Sequence, residues 1–484
     1  MLTELAFGLV DFAFHSDYWW GRFLFQRGLG IIYFLAFLTA LKQFRPLAGE
    51  DGLLPIRPFL AKASFSQAPS IFHWYYSDRF FGWVARIGAA CALLTVTGIS
   101  ELGPLWLSMG IWAMLYILYL SIVNVGQTFY GFGWESILLE AGFLAIFLGP
   151  MHMAVPGLVI FLLRWLLFRI EFGAGLIKIR GDECWRKLTC MNYHHETQPL
   201  PNPLSWYFHH LPEGIHKIET FINHSVQLVL IWGIFFPQPV ASISATLIIL
   251  SQLYLVLSGN YAWLNWMTIL LALTGYSDGM FQVLFGLGIP QTSFLPLGMK
   301  GIVILLFCMF LVMSYHPVKN MLSSTQKMNL SFNPWHLAGT YGAFGSVTHR
   351  RMELVIEGTR DQVPTADTEW QAYEFRGKPG DPDLRPPQIA PYHLRLDWQI
   401  WFAAMTSYHY HPWFLPFIKK LLRNDKAVLE LLDSTPFPEQ GPTYIRVLWS
   451  VYEFTSPEER EHSGTWWKRR YVREYLSPVR EEDL

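Results

Sequence analysis

Long apolar runs separated by short polar segments occupy the first two-thirds of the chain. A transmembrane helix needs roughly 20 apolar residues. Runs that reach or approach this length lie at about 28–44, 82–99, 105–124, 136–150, 154–177, 223–236, 239–258, 261–277 and 298–315. A Gly- and Phe-rich stretch at 279–291 is typical of a re-entrant or interfacial piece. The pattern predicts a polytopic α-helical transmembrane bundle of about nine spans.

The pattern changes after His316, where charged and Pro residues become frequent and no apolar run of spanning length follows. Alternation of apolar and polar residues predicts strands at 347–357, 369–376 and 444–454. Helical periodicity predicts helices at 397–405 and 412–432. The fold class is therefore mainly α, with a C-terminal soluble α+β domain. We expect an N-terminal amphipathic segment at 1–27, a transmembrane helical domain at 28–316 with a long polar loop at 178–222, and the soluble domain at 317–484.

Composition supports an integral membrane protein. Of the 484 residues, 52% are hydrophobic and only 15% are charged, which is more apolar surface than a soluble monomer normally buries. The net charge of −1 gives no indication of a nucleic-acid partner. Because the first basic residue is Arg22, the N-terminus lacks the basic region of a cleavable signal peptide, and we expect the first span to act as an uncleaved anchor.

Charged residues interrupt the fifth apolar run. Arg164, Glu171 and Lys178 are spaced seven residues apart, about two helical turns, so they project from one face. A charge in the hydrocarbon costs several kcal/mol unless it is paired or lines a polar cavity. We therefore predict a polar cavity, whose lining residues are Gln127, Glu135, Glu140, Arg164, Glu171 and Lys178. Two alternatives stay open: an ion-pair ladder that locks helices together, and a Glu135 that faces water at a helix N-terminus.

Two of the four cysteines lie outside the predicted spans, and both are in the 178–222 loop. Cys184 and Cys190 form a Cys-x5-Cys pattern, which fits neither a CxxC redox motif nor a zinc ribbon. A local disulfide is the simplest account if the loop faces an oxidising compartment. Cys184, Cys190, His194 and His195 could together supply four sulfur and nitrogen ligands to zinc. Their spacing matches no common zinc site, so no metal site is assigned. Walker and dinucleotide-binding motifs are absent from the sequence, and no cofactor is expected.

Several long motifs resemble the lipase maturation factor family of polytopic membrane proteins. They are GWESILLEAGFLAIFLGP, the stretch from RWLLFRIEFGAG to NPLSWYFHHLP, SGNYAWLN, and, in the tail, YEFRGKPGDPDLRPPQIAPYHLRLDWQIWFAAM and YIRVLWSVYEF. The likeness covers most of the chain from about residue 120 onward. His195 stands where the family pattern has an aromatic residue. The resemblance implies a protein that, in animals, lies in the endoplasmic reticulum membrane and helps secreted dimeric lipases reach their active fold.

The expected function is therefore a membrane-embedded maturation factor rather than an enzyme. Its expected partners are a secreted lipase or another exported hydrolase, and membrane lipid. The family's membrane core is similar to that of the vitamin-K-dependent carboxylase group, which leaves an alternative. In it, an integral membrane enzyme acts on a lipid- or quinol-like substrate, with Glu171, Lys178 and His194 as candidate catalytic groups.

The expected location is the endoplasmic reticulum membrane in a eukaryote and the inner (cytoplasmic) membrane in a bacterium. Nine spans place the 45–81 loop, the 178–222 loop and the C-terminal domain on one side. The positive-inside rule favours the cytoplasm for that side. The resemblance implies the lumen or periplasm, where secreted clients are met, and we adopt that orientation.

Overall fold

The computed structural model describes residues 12–484, so the first part of the predicted amphipathic segment lies outside the described residues. A helical bundle comes first and a small sheet region follows. The helices of the bundle are α1 (Trp19–Ala48), α2 (Ile56–Leu60), α3 (Asp78–Thr97), α4 (Leu105–Val125), α5 (Gly133–Ala145), α6 (Gly157–Arg180), α7 (Glu183–Arg186), α8 (Met191–Thr197), α9 (Ser205–His209), α10 (Glu213–Leu228), α11 (Val240–Ser258), α12 (Leu264–Leu273), α13 (Asp278–Phe285), α14 (Leu297–Met313) and α15 (Tyr315–Leu322).

Six helical segments within residues 12–484 are long and apolar enough to cross a membrane. They are Trp19–Ala48, Asp78–Thr97, Leu105–Val125, Glu213–Phe235, Val240–Ser258 and Leu297–Leu322. The helices α12 and α13 add a seventh if they are counted as one span, although they are bent by 98° to each other. Side chains on α14 such as Leu305 and Val312 are exposed, as lipid-facing residues are. The chain is an integral membrane protein.

The predicted count of about nine spans is not confirmed. The predicted 136–150 span is the 13-residue helix α5, which rises about 20 Å and is short of a hydrocarbon core of about 30 Å. The predicted 154–177 span is the 24-residue helix α6, which carries five charged residues. Most residues of both helices are buried, so they form the centre of the bundle rather than its lipid-facing wall.

The first helix begins nine residues earlier than the apolar pattern predicts. Its first backbone N–H groups, those of Trp19 and Trp20, each donate to the carboxylate of Asp278 over 2.9 Å. The helix also accommodates Arg22, because this buried guanidinium donates to the carbonyls of Leu148 and Met151. The helix thus begins at Trp19 because groups distant in sequence, the carboxylate of Asp278 and the carbonyls of Leu148 and Met151, bond to its first turn.

The C-terminal region is built on a four-stranded antiparallel sheet with the order β2-β1-β5-β6. A second, two-stranded sheet pairs β3 with β4. The strands are β1 (Arg351–Thr359), β2 (Gln371–Ala372), β3 (Glu374–Phe375), β4 (Leu432–Ser434), β5 (Tyr444–Phe454) and β6 (Trp467–Val479). The helices are α16 (Arg395–Ala404), α17 (Phe414–Leu422), α18 (Lys426–Leu429) and α19 (Pro457–Ser463). Helix α16 packs against β1 and also against the turn Gln127–Tyr130 of the bundle.

The mainly α fold class with a small C-terminal sheet is confirmed, and the boundaries differ in detail. The strand predicted at 444–454 is β5, whereas the strand predicted at 347–357 begins only at Arg351. The strand predicted at 369–376 is two strands of two residues each, and the helix predicted at 412–432 is divided into α17 and α18 before it ends in β4. Strand β6 was missed because seven consecutive residues, 468–474, are exposed at the sheet edge, and an edge of this kind has no apolar alternation.

Candidate functional site

The six residues predicted to line a polar cavity lie in several separate hydrogen-bonded groups. Gln127 stands at the start of the turn Gln127–Tyr130 and donates from Nε2 to the carbonyl of Leu54 over 2.9 Å. Arg164 donates from Nε and Nη2 to the carbonyl of Thr274, over 3.1 and 2.6 Å, and its guanidinium lies 4.3 Å from the ring centroid of Tyr18. Both residues therefore join neighbouring elements of the bundle.

Glu135 connects the bundle to the C-terminal region. Its Oε1 lies 2.7 Å from Nη1 of Arg395, which begins α16, and its Oε2 accepts from the hydroxyl of Tyr119 over 2.5 Å. Both side chains of the ion pair are completely buried. The backbone N–H of Arg395 donates to Gln43 on α1, and Gln43 in turn donates to the carbonyl of His393 over 2.7 Å. Glu135 therefore does not face water, which was one alternative for this residue.

Glu140 forms a second buried ion pair, five residues after Glu135 on α5. Both of its oxygens accept from Arg169 of α6, and Oε2 also accepts from the hydroxyl of Tyr341 over 2.9 Å. Arg169 donates in addition to the carbonyl of Gly339 over 2.7 Å. This group attaches residues 339–341, which precede the sheet, to the centre of the bundle.

Glu171 and Lys178 face helices α10 and α11. Glu171 accepts from Nε2 of Gln252 over 2.7 Å, and Gln252 accepts from Asn265 over 2.7 Å. Lys178 donates to Asn223 over 2.8 Å and to Gln227 over 3.1 Å. The common face predicted from the seven-residue spacing is present for these two residues, whereas Arg164 belongs to another group.

Within the 178–222 loop, Cys184 and Cys190 form a disulfide, which confirms the predicted pairing. Both sulfur-bearing residues are buried in a cluster with Trp185, Met191 and Val347. The indole of Trp185 donates to the carbonyl of Phe344 over 2.8 Å. The disulfide therefore lies beneath the segment that leads into the C-terminal sheet.

His194 and its neighbours occupy a buried hydrogen-bonded chain. The hydroxyl of Tyr261 donates to Oε1 of Gln198 over 2.6 Å and lies 2.9 Å from Nε2 of His194, so Nε2 carries the proton and donates to the hydroxyl. Burial, followed by the nearby charges of His195 and Lys178, lowers the pKa of His194 to about 3. The imidazole is therefore neutral and serves as a hydrogen-bond donor.

Arg351 fastens the loop to the sheet. This buried side chain, the first of β1, donates to the carbonyl oxygens of Glu196, Gln198 and Pro199, and it is paired with Glu353 over 2.6 Å. From the loop side, the carboxylate of Glu196 accepts the backbone N–H of Phe454 over 2.7 Å. Burial raises the pKa of Glu196 to about 7, although the bond from Phe454 acts in the opposite direction. We call the contact of residues 196–199 with β1 and β5 the loop–sheet junction.

Asn260, which begins the Asn-Tyr-Ala-Trp motif after α11, makes the corresponding connection to the Pro-rich segment. Its Nδ2 donates to the carbonyls of Pro201 and Pro387, over 3.1 and 2.9 Å. Its Oδ1 accepts from the backbone N–H groups of Ile389 and Ala390, over 2.9 Å each. One amide side chain thereby satisfies backbone groups of the loop and of the C-terminal region together.

The loop and the C-terminal region consequently form one polar and aromatic seam on the same side of the bundle. Trp206 of α9 adds to it, since its indole donates to the carbonyl of Thr455 over 2.8 Å and its ring packs with Phe454 and Trp467. Sequence reasoning missed Arg351, Asn260 and Arg395 as site residues. A charged residue between two leucines, as in HLRLDWQI, is the signal that points to Arg395.

The described part of the chain contains an apolar pocket and two groups of possible metal ligands. An apolar pocket of about 340 Å³ lies between α1, α12 and α13 and is lined by Trp20, Leu273 and Phe281, among others, and by none of the predicted site residues. Two groups bring three possible metal ligands together. In the first, Asp182, Cys184 and His349, the cysteine is already in the disulfide. The second is His195, His216 and Glu219.

Comparison with known proteins agrees with this arrangement of a bundle and a C-terminal region. The family model for the lipase maturation factor transmembrane domain matches residues 20–283, and the one for the lipase maturation factor C-terminal domain matches residues 337–477. Lipase maturation factor 1 from Bos taurus is 39% identical, over 97% of this chain and 90% of the relative, and the Homo sapiens protein is 38% identical, over 97% and 89%. Lipase maturation factor 2 from Homo sapiens is 28% identical, over 95% and 82%. No solved structure matches the chain.

These matches give no support to the alternative of a carboxylase-like membrane enzyme. Both family models and the long, nearly complete alignments agree with the motifs in the sequence. The chain belongs to the lipase maturation factor family.

Proposed function

We propose that this protein assists secreted lipases, or related exported hydrolases, in reaching their active folded and assembled state. The observation that carries the proposal is the similarity to lipase maturation factor 1 over 97% of the chain, which includes both the bundle and the C-terminal region. Glu135, Glu140 and Glu171 of the bundle each have an internal ion-pair or hydrogen-bond partner, which is the pattern of a scaffold rather than of a reaction centre.

The proposed location is the endoplasmic reticulum membrane in a eukaryote and the inner membrane in a bacterium. We place the 178–222 loop and the C-terminal region on the exoplasmic side. Two features support this side. The disulfide Cys184–Cys190 is of the kind that persists in oxidising compartments, and a secreted client folds there. The loop–sheet junction requires that the loop and the C-terminal region share one side, because they are in direct contact.

The disulfide, in this proposal, has a structural role and does not exchange with clients. Thiol–disulfide exchange begins with attack of a thiolate on an accessible sulfur. Cys184 and Cys190 are 5% and 0% exposed, beneath Trp185 and Val347. We place the client on the outer surface of the C-terminal region, which is in contact with the loop.

The test is the activity of a secreted lipase per molecule of secreted protein, in cells that lack the protein and are complemented with variants. Wild type is expected to restore specific activity. Arg351→Met, which undoes the loop–sheet junction, is expected to fail, whereas Arg350→Met, an exposed neighbour of the same charge, is expected to restore it. Glu171→Gln keeps the bond from Gln252 possible and is expected to restore activity as well, since no acid–base chemistry is assigned to it.

Unchanged lipase activity in the cells that lack the protein would overturn the proposal. Loss of activity with Glu171→Gln at normal protein level would contradict the scaffold role of the bundle. Protein level and gel-filtration profile of each variant in detergent separate a failure of folding from a failure of function.

A further inference from the structure

A buried group of three side chains joins the loop to the second half of the bundle. His195 lies near the end of α8, and His216 and Glu219 lie in the first two turns of α10. One oxygen, Oε2 of Glu219, lies 2.9 Å from Nδ1 of His216 and 3.5 Å from Nε2 of His195. His195 and His216 are 0% and 3% exposed.

The hydrogen bonds around His216 require a cation at this position. Its Nε2 lies 3.3 Å from the carbonyl oxygen of His209, which accepts only, so Nε2 carries a proton. In a neutral imidazole Nδ1 is then a lone pair, and it faces the carboxylate oxygen of Glu219. Two acceptors at hydrogen-bond distance repel each other unless a proton or a metal ion lies between them. The site therefore holds either an imidazolium or a metal.

The three ligand atoms lie within 4.8 Å of one another, and the two separations from Glu219 are near those of a metal site. In a tetrahedral zinc site with bonds of about 2.0–2.1 Å, two ligand atoms are about 3.3 Å apart. The distance from Glu219 to His195 is already 3.5 Å, and that to His216 has to open by about 0.4 Å. The Nδ1 of His195 makes no hydrogen bond with any residue of the described chain, so this end of the ring is held only by packing against Phe208 and His216.

The surroundings also resemble those of metal ligands. Metal-bound histidines usually donate their other ring N–H to a carbonyl or carboxylate, as His216 does to His209. The remaining oxygen of Glu219, Oε1, accepts from the hydroxyl of Tyr254, which orients the carboxylate. Two histidines and one glutamate are a ligand set that zinc uses when it keeps a position open for water.

We propose that His195, His216 and Glu219 bind a zinc ion, which ties the 178–222 loop to helix α10. These ligands come from separate elements, with 20 residues between His195 and His216, so no short motif in the sequence indicates the site. The site is argued from these three residues alone and does not depend on the proposed function.

The test is the zinc content of the full-length protein in detergent, purified through a tag without histidines. We expect about one zinc per chain in the wild type and in the control His462→Gln, which changes an exposed histidine elsewhere. Glu219→Gln and His195→Phe are expected to lose most of the metal. The glutamine keeps the volume of the glutamate, and its amide N–H can donate to Nδ1 of His216, so this variant is expected to fold without zinc.

A second measurement covers loss of metal during purification. Wild type treated with a chelator should unfold at a lower temperature and recover when zinc chloride is added, whereas Glu219→Gln should respond to neither. Equal zinc contents in wild type and Glu219→Gln would overturn the proposal. So would a wild type that contains no zinc and shows no thermal shift on zinc addition; the group is then an imidazolium–carboxylate pair.

Discussion

Arg395 on the first turn of α16 and Glu135 on the first turn of α5 form a completely buried ion pair, with Nη1 and Oε1 2.7 Å apart. These residues are 260 positions apart in the chain, and the pair connects the C-terminal region to the centre of the bundle. Its neighbours complete the contact, since Arg395 also donates to the carbonyl of Phe129 over 2.8 Å and lies over the ring of Tyr130.

Removing one partner of this pair is expected to be strongly destabilising. Arg395→Met leaves the Glu135 carboxylate buried without its cation, which costs about 3–5 kcal/mol. The double variant Glu135→Gln/Arg395→Met should recover part of this loss, because no buried charge remains. The stability of both variants is measured by thermal unfolding in detergent, which is monitored as the loss of the monodisperse gel-filtration peak.

The matched control for that prediction is an exposed ion pair. Arg423 is paired with Glu481 over 2.6 Å, but both side chains are about half exposed. Arg423→Met should therefore change the stability by no more than about 1 kcal/mol. Equal effects of Arg423→Met and Arg395→Met would show that the Glu135 pair does not hold the two regions together.

Arg351→Met should release the loop from the sheet. The change removes the donor to three carbonyl groups and leaves Glu353 with only Lys378, 3.3 Å away, as a cationic partner. We expect a loss of about 3 kcal/mol and faster proteolytic cleavage in residues 200–212. Arg350→Met, at an exposed position next to it, is the control and should be cleaved at the wild-type rate.

Loss of the disulfide should lower stability moderately. In the chain-entropy description, the short loop closed by Cys184 and Cys190 contributes about 2 kcal/mol. The variant Cys184→Ser/Cys190→Ser is therefore expected to melt at a lower temperature, whereas Cys308→Ser, which replaces an exposed free cysteine, should melt like wild type. Rapid labelling of Cys184 or Cys190 by a maleimide in the native, unreduced protein would contradict their buried, bonded state.

His194 should make the protein acid-sensitive. Its pKa is about 3 in the folded protein and about 6.5 in an unfolded chain, so unfolding takes up a proton below pH 6.5. The stabilising contribution of the neutral imidazole is complete above pH 6.5 and is lost as the pH falls toward 3, at about 1.4 kcal/mol per pH unit for one group.

The measurement for this prediction is the unfolding temperature of wild type and His194→Gln between pH 7.5 and 5. The glutamine can still donate to Tyr261 but does not titrate. Other buried histidines, such as His209, whose pKa burial also lowers to about 3, act in the same direction, while Glu196 acts in the opposite one. The unfolding temperature of the variant should thus depend less steeply on pH, because its unfolding takes up about one proton fewer. Identical slopes would show that folding does not lower the pKa of His194.

The hydrophobic pattern by itself determined that the chain is a membrane-embedded helical bundle followed by a small sheet region. Burial of apolar runs in lipid and alternation along β5 are local properties, and both can be seen in the order of residues. The disulfide was predictable as well, because Cys184 and Cys190 are near each other in sequence. The family resemblance likewise rests on continuous motifs.

Only the tertiary structure decided which charges meet. Glu135 is paired with Arg395 and Glu140 with Arg169, and the spacing of Arg164, Glu171 and Lys178 along α6 did not indicate that they serve different neighbours. Helix α6 is buried on nearly all sides, so its polar residues face several elements instead of one cavity. A charged side chain in an apolar interior is stable only beside a partner, and the partner is supplied by the folded chain rather than by the adjacent sequence.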